Sequence, residues 1–185
     1  LERAHGRAPT TPFLDARVAE ELARIYDADG RDTDALRARK AALKTVTDPR
    51  EELVALRAIA TSAERAGATD DAVLALERAI VLEPDDETHA SELDRLLLAA
   101  GRHEARAVLW IREGARMDDP HAKARALLRS AEAARAAGDE DAATAQREAA
   151  WLTAPTAPGV FDAIVTQIAP VAPTAAIMQR VALYE

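Results

Sequence analysis

Histidines and carboxylates are the residues of this 185-residue chain best suited to catalysis or metal binding, and their spacing favours neither. His89, His103 and His121 fall in or near predicted turns, and none is followed four residues later by a second histidine or a carboxylate. That spacing would place two metal ligands on one helix face. Asp118, Asp119 and His121 could gather a cation weakly, but such turn residues usually cap helices or face solvent. We therefore predict no metal site.

Other catalytic arrangements are missing from the sequence as well. The chain has no cysteine, so it offers no thiol nucleophile and no zinc-thiolate site. Its seven glycines are isolated from one another and form no phosphate-binding loop. No serine or threonine lies in a recognisable nucleophile motif with a base. The sequence predicts no catalytic residue and no cofactor, and we expect a protein that is not an enzyme.

The amino-acid composition narrows the possible fold and functional classes of the protein further. Ala, Leu, Arg and Glu dominate while Val, Ile and Thr are sparse, which is typical of helices. The net charge of −8 disfavours a nucleic-acid groove, because phosphate binding needs a positive surface. No run of 18 apolar residues exists, so we expect no membrane insertion and a cytoplasmic location. A first residue Leu1 suggests a piece of a longer protein.

Prolines and glycines recur at two regular intervals. Prolines lie 35, 36 and 35 residues apart, and glycines 37, 34 and 37 residues apart. The prolines are Pro49, Pro84, Pro120 and Pro155, and the glycines are Gly30, Gly67, Gly101 and Gly138. A period of this length indicates stacked helix–turn–helix repeats, with glycine ending the first helix of each repeat and proline separating repeats.

Two further patterns specify the helices. At the Asp48–Pro49 and Asp119–Pro120 steps, Asp can cap a helix while Pro occupies its first position. The second helices of the repeats align at a step of 35 residues, which predicts that small residues recur where backbones meet. The aligned sets are Ala72, Ala107 and Ala142; Ala79, Gly114 and Ala149; and Leu82, Met117 and Leu152.

At these positions the chain resembles the tetratricopeptide repeat family. The family pattern is W-x2-L-G-x2-Y in the first helix, A-x3-F and a further Ala in the second, and Pro at the repeat boundary. The positions in register are Leu22, Ala23 and Tyr26; Ile59, Ala60, Ala63, Ala72, Leu76, Ala79 and Pro84; Leu93, Leu97, Ala107, Ile111 and Gly114; and Ser130, Ala131, Ala134, Ala142 and Ala149. The repeat pattern of the sequence also resembles that of large bacterial multi-repeat proteins, of which this chain would be a fragment.

The resemblance implies an all-α fold in which helix–turn–helix repeats form a right-handed α-α superhelix, an open solenoid. We predict an N-terminal extension at 1–12 and four repeats over 13–154. The repeats are 13–48, 50–84, 85–119 and 120–154. The remainder, 155–185, is predicted to form a degenerate fifth repeat or capping helices, at about 159–169 and 174–185, that pack on the fourth repeat or dock a partner.

In this family the first helices line a concave face that binds a peptide or partner protein. Carried over, the resemblance assigns that face here to Arg17, Arg24, Arg57, Thr61, Arg65, Ser91, Arg95, Leu98, Arg125, Leu128 and Arg135. Recurring arginines favour an acidic ligand, because guanidinium groups bind carboxylates bidentately. The competing interpretation is that these arginines pair with neighbouring acids, such as Glu20 with Arg24. The oligomeric state is left open.

Three alternatives accompany this interpretation. The chain could be the helical lobe of an enzyme whose site is completed elsewhere, which would require a histidine to meet carboxylates in a closed pocket. It could also be an RNA-reading helical array, which the acidic balance disfavours. Trp110 and Trp151 could anchor a partner, although burial between repeats is the commoner role of such residues.

Overall fold

The structure is a computed structural model that describes residues 12–168, with side chains described for residues 16–166. Within these residues the chain forms nine α-helices and no strand, which confirms the predicted all-α class. The helices are α1 (Pro12–Ala28), α2 (Asp32–Leu43), α3 (Pro49–Arg65), α4 (Thr69–Leu82), α5 (Glu87–Ala99), α6 (His103–Arg116), α7 (Pro120–Ala136), α8 (Glu140–Thr153) and α9 (Val160–Ile168). Residues 1–11 of the predicted N-terminal extension and the predicted helix at 174–185 lie outside the described residues, whereas Pro12 already belongs to α1.

The chain divides into two compact units, and the boundary falls within α5: the N-terminal unit ends at Leu96 and the C-terminal unit begins at Leu97. In the N-terminal unit α1 packs against α2, α2 against α3, and α3 against α4. In the C-terminal unit α6 packs against α7 and α7 against α8, while α9 contacts both α8 and α7. Within each unit this is the helix–turn–helix succession that the tetratricopeptide resemblance implies.

The turn between the helices of each hairpin is built on glycine, as predicted. Gly67 has a φ of +69° and Gly138 a φ of +86°, a left-handed backbone conformation that side chains with a Cβ disfavour. After Gly67 the amide of Ala68 donates to the carbonyl of Ala63 at 2.8 Å, and this bond closes the end of α3. Gly30 and Gly101 adopt the same conformation, so each glycine of the regular series ends a helix.

Both predicted Asp–Pro helix starts are confirmed. The Asp48 carboxylate accepts hydrogen bonds from the amides of Arg50 at 2.8 Å and Glu51 at 3.1 Å. Pro49 occupies the first helical position, where its missing amide costs no hydrogen bond. Asp119 makes the equivalent cap on α7. Local sequence therefore fixes where α3 and α7 begin.

The second helices follow the predicted step of 35 residues only in part. The small residues Ala72 and Ala107, and likewise Ala79 and Gly114, are buried as that step predicts. The same step aligns Ile111 with Leu76, yet Leu76 is 1% exposed and Ile111 is 42% exposed. Trp110, 3% exposed, takes the interior position instead. Leu76 and Trp110 each lie nine residues after their glycine, Gly67 and Gly101. The glycine turn sets the register of the following helix, so the alignment by proline was wrong by one residue here.

The same correction applies to α8. The step of 35 predicts Ala142 and Ala149 at the helix interface, but both are half-buried. Ala143 and Ala150 are fully buried in their place. Leu152, predicted to correspond to Leu82, is 71% exposed. The glycine-to-glycine spacing in this repeat is 37 residues, which moves the helix register relative to the prolines.

Beyond α8 the chain packs back onto the C-terminal unit. Ala154, Ala157 and Val160 form a buried cluster with Ala124 of α7 and Ala150 of α8. This contact is the packing predicted for the first tail helix. The two tryptophans lie in this unit: Trp110 is buried as predicted, with Arg129 stacked 4.3 Å above its ring, and Trp151 is half-buried against Phe161.

Candidate binding surface

The residues predicted to bind a partner fall in both units. Leu128 is half-buried beside the cluster around Val160, and the other ten are exposed. Those of the N-terminal unit are Arg17, Arg24, Arg57, Thr61, Arg65, Ser91 and Arg95; those of the C-terminal unit are Leu98, Arg125, Leu128 and Arg135. Accessibility alone therefore leaves most of the predicted surface open to a ligand.

Several of these arginines already bind carboxylates of the chain itself. Arg24 contacts Glu21 at 3.2 Å on its own helix. Between helices, Arg65 of α3 pairs with Asp27 of α1, and Arg95 of α5 pairs with Glu64 of α3. An acidic ligand would have to share or displace these internal partners. The sequence pattern of recurring arginines thus reflects, in part, ion pairs between successive helices.

Asp27 is the most strongly held of these carboxylates. Its pKa is below the usual value, chiefly because Arg39 donates a hydrogen bond to it at 2.6 Å, and Arg65 adds to the effect against the opposing cost of burial. Arg39 is itself buried and also donates to the hydroxyl of Ser62 on α3. This network joins α1, α2 and α3 through charge-assisted hydrogen bonds.

A cleft of about 820 Å³ lies between α1 and α3 in the N-terminal unit. Residues 45–47, which join α2 to α3, form part of its wall. Its apolar surface comes from Ala16, Ala42, Val46, Val54, Ala55 and Ala58. Val54 is 67% exposed, so a large apolar side chain faces this space without cover from the described residues. The volume is in the range of ligand sites.

Charged side chains surround this apolar surface. Arg17, Arg24 and Arg50 line the cleft together with Glu20 and Glu51. Cationic side chains therefore outnumber anionic ones in the cleft, although the whole chain carries a net charge of −8. Two residues of the sequence-predicted surface, Arg17 and Arg24, belong to this lining.

Residues of the loop at 45–47 were missed by the sequence reasoning. Thr45, Val46 and Thr47 fall between two helices, where the repeat pattern assigns no binding role. Thr45 ends the preceding helix by donating its hydroxyl to the carbonyl of Ala42 at 2.9 Å. Val46 is an apolar residue in a connection otherwise made of polar residues, and this feature could have indicated that the loop contributes to a binding surface.

The burial of His89 was missed by the sequence reasoning. The sequence predicted only that His89 lies in or near a turn; it lies in the first turn of α5 and is 1% exposed. His89 is followed by Leu93 and Leu97 at helical spacing, so it continues the buried face of α5. That periodicity could have identified it. A histidine does meet carboxylates here, as the enzyme alternative requires, but Glu83 is 45% exposed and Asp86 is 30% exposed, so the group is open to solvent and does not lie in the closed pocket that the alternative also requires.

The carboxylates beside His89 are Glu83 and Asp86, and one nitrogen of Arg57 lies among all three. Arg57 Nη2 is 2.9 Å from Glu83 Oε2, 3.0 Å from Asp86 Oδ2 and 3.0 Å from His89 Nε2. Asp86 also caps α5, and its pKa is below the usual value chiefly through hydrogen bonds from Thr88, with smaller contributions from His89 and Arg57. A guanidinium therefore occupies the centre of this cluster.

Comparison with known proteins finds only solved structures with low sequence identity and low structural similarity to this chain. No protein-family model matches the chain, and no curated protein matches it. Among solved structures, the chain is similar to MamA RS-1 ArsTM double mutant, with 14% identity and a TM-score of 0.47 over 91% of each chain. MamA MSR-1 shows 16% identity and a TM-score of 0.44 over 89% of this chain and 91% of that chain. This level of similarity identifies neither a partner nor a binding face.

Over residues 12–168, no helix is both long enough and apolar enough to span a membrane.

Proposed function

We propose that the chain is a protein-interaction module whose cleft between α1 and α3 binds a peptide segment of a partner protein. The observation that carries this proposal is the apolar surface around Val54, which is exposed and bordered by charged side chains. Protein interfaces combine an apolar centre with a polar rim in this way. Helical grooves commonly receive a peptide through a few apolar anchor residues.

The charged residues of the cleft favour a peptide of particular composition. Arg17, Arg24 and Arg50 outnumber Glu20 and Glu51, so a segment with one or two apolar residues flanked by Asp or Glu is the favoured ligand. Arg24 is engaged by Glu21, and its side chain is 66% exposed. Exposed ion pairs contribute little to stability, so a ligand carboxylate can compete for this guanidinium at small cost.

The proposed site is smaller than the surface predicted from sequence. It uses Arg17 and Arg24, whereas Arg57, Arg65 and Arg95 hold carboxylates of the chain. Thr61 donates its hydroxyl to the carbonyl of Arg57, and Ser91 lies on α5, beyond the cleft. Leu98, Arg125, Leu128 and Arg135 belong to the other unit and have no part in this proposal. The division into four repeats remains a proposal as well.

Selection of peptides from a random displayed library would test this function. Wild-type chain is the target, and binding of the recovered peptides is then measured by fluorescence anisotropy. We expect recovered peptides to combine Leu, Ile or Phe with neighbouring acids. Replacing an apolar anchor contact should weaken binding by about tenfold or more, so Val54→Arg is expected to do so.

Leu74→Arg is the matched control. Leu74 is 63% exposed and Val54 is 67% exposed, both lie in the N-terminal unit, and Leu74 is on α4, where it does not line the cleft. The control variant should bind the recovered peptides as wild type does. Equal loss in both variants, or peptides without an acidic and apolar pattern, would contradict the proposed site.

A further inference from the structure

The turn between α4 and α5 brings together three side chains with metal-binding atoms, a feature separate from the proposed peptide cleft. Glu83 follows α4, Asp86 precedes α5, and His89 lies in the first turn of α5. His89 Nε2 is 3.4 Å from Glu83 Oε2 and 3.6 Å from Asp86 Oδ2. Zinc bonds to nitrogen and oxygen of about 2.0–2.2 Å in tetrahedral geometry separate neighbouring ligand atoms by roughly 3.3–3.6 Å. Both distances from His89 Nε2 match this spacing, and all three ligand atoms lie within 4.8 Å of one another.

The imidazole of His89 directs its Nε2 atom toward this position. His89 Nε2 lies 3.0 Å from Arg57 Nη2 and 3.4 Å from Glu83 Oε2. The other ring nitrogen, Nδ1, is buried and has no hydrogen-bond partner among the described residues. Only 2% of the His89 side chain is exposed, so its orientation is fixed by packing. Histidine is the commonest protein ligand of transition metals, and Nε2 is the nitrogen placed to bind one here.

The guanidinium of Arg57 already places a positive charge beside the three ligand atoms. Its Nη2 atom lies within 3.0 Å of all three ligand atoms, yet 47% of its side chain is exposed. A long exposed side chain can move into solvent with little loss of stability. Glu83 and Asp86 are 45% and 30% exposed, which leaves a route for an ion from solvent. The guanidinium can therefore be exchanged for another cation.

We propose that Glu83, Asp86 and His89 form a binding site for a divalent transition-metal ion, which enters as Arg57 leaves. One imidazole and two carboxylates suit Zn²⁺ or Co²⁺ better than Mg²⁺ or Ca²⁺, which prefer all-oxygen sites. Three protein ligands leave a fourth position for water. Among the described residues Nδ1 of His89 has no carboxylate or carbonyl partner, and Arg57 competes for the site, so the site binds its metal with moderate affinity.

Isothermal titration of the metal-free full chain with Zn²⁺ tests this proposal. We expect one saturable Zn²⁺ site that Mg²⁺ does not compete for. Arg57→Met removes the competing cation and its repulsion of the metal, so it should bind Zn²⁺ at least about tenfold more tightly than wild type. Glu83→Gln removes a ligand from an exposed position and should bind at least about tenfold more weakly.

Two further variants complete the design. His89→Gln removes the imidazole and should abolish the visible absorption of bound Co²⁺, with circular dichroism used to check that the helices persist. His121→Gln changes an exposed histidine of α7 and should leave Zn²⁺ affinity unchanged. Because Glu83→Gln replaces a side chain at the protein surface, it remains informative if His89→Gln unfolds. The proposal is overturned if Arg57→Met binds no more tightly than wild type, or if Glu83→Gln binds equally well.

Discussion

Hairpin α3–α4 of the N-terminal unit and hairpin α7–α8 of the C-terminal unit share their ends but differ in their interiors. Pro49 and Pro120 lie 71 residues apart, as do Gly67 and Gly138. Each hairpin starts at a capping Asp before the proline and turns at its glycine. The positions between these markers can therefore be compared directly.

Interior positions differ in size and polarity. Ile59 of α3 corresponds to Ser130 of α7, and both are buried. Leu76 of α4, 1% exposed, corresponds to Arg147 of α8, whose side chain is 13% exposed and pairs with Glu140 at 3.2 Å. Trp151 of α8, which is half-buried, stands where α4 has Ile80. The same turn and cap thus support one hairpin with bulky aliphatic residues at these positions and another with serine, arginine and a half-buried tryptophan.

Turns and caps therefore specify each hairpin, while the interior side chains set how its stability is distributed among residues. Ala143 and Ala150 of α8 match Ala72 and Ala79 of α4, and all four are buried. These alanines let the helices approach closely in both hairpins but bury little area each. In α3–α4, a few large side chains carry more of the apolar burial. Single truncations should therefore be costly in the first hairpin and mild in the second.

Leu76→Ala is expected to have the largest effect. Removing a fully buried Leu leaves a cavity, and such changes cost about 2–5 kcal/mol in the free energy of unfolding. Arg147→Ala at the matching position should cost less than about 1 kcal/mol, because its ion pair has an exposed partner. Hydrogen exchange measured separately for each hairpin checks both. Equal losses of protection would remove the distinction between the interiors.

Replacing the turn glycines should affect both hairpins alike. Gly67→Ala and Gly138→Ala each force a Cβ into a left-handed backbone conformation, at a cost of about 1–2 kcal/mol. A Cβ at either glycine would have no atom of the described residues within 4 Å, so the expected cost comes from the backbone conformation. Urea unfolding followed by hydrogen exchange would measure it. A loss in one hairpin only would contradict a shared turn.

Ser130→Ala probes the polar interior of α7–α8. The buried Ser130 hydroxyl donates to the carbonyl of Ala107 on α6 at 3.0 Å. Loss of this hydrogen bond should lower the free energy of unfolding by about 1 kcal/mol. Ser130→Thr retains the hydroxyl and serves as a comparison for hydrogen bonding, measured in the same urea titration. Stabilisation by Ser130→Ala would mean that apolar contact outweighs the hydrogen bond.

The smallest expected effect is the acid dependence of the α7 cap. The pKa of Asp119 is below its usual value because the amides of Ala122 and His121 donate to its carboxylate. A carboxyl with a lowered pKa stabilises the fold above its unfolded pKa of about 3.9 and loses this contribution as pH falls through the folded value. Exchange of the first α7 amides should accelerate below about pH 4. Asp119→Asn should remove that acceleration, and its persistence would exclude the cap as the cause.

Sequence identified the helical class, the turns and both Asp–Pro caps because each depends on a local backbone preference. Gly67 and Asp48, for example, act within a few residues of their own positions. Helix register was harder to predict. The proline interval and the glycine interval differ, and only the glycine interval sets which face of the second helix is buried. Trp110 rather than Ile111 is interior for this reason.

The candidate site was predicted only in part. Arg17 and Arg24 were identified from their helix positions, and both line the cleft. Residues 45–47 contribute through the path of a connection, which no periodic pattern describes. The pairing of Arg65 with Asp27 joins residues 38 apart in sequence, so it depends on how α3 packs beside α1. Spacing along one helix cannot reveal such a partner.

A titration of ¹⁵N-labelled chain with a selected acidic and apolar peptide, followed by amide chemical shifts, would show directly whether the cleft binds the peptide. The shifted amides should cluster in 16–24, 45–47 and 50–58, around the cleft between α1 and α3. Amides of hairpin α7–α8 should not move. Shifts concentrated on α4 or in the C-terminal unit, with residues 45–58 unaffected, would contradict the assignment of the cleft as the partner-binding site.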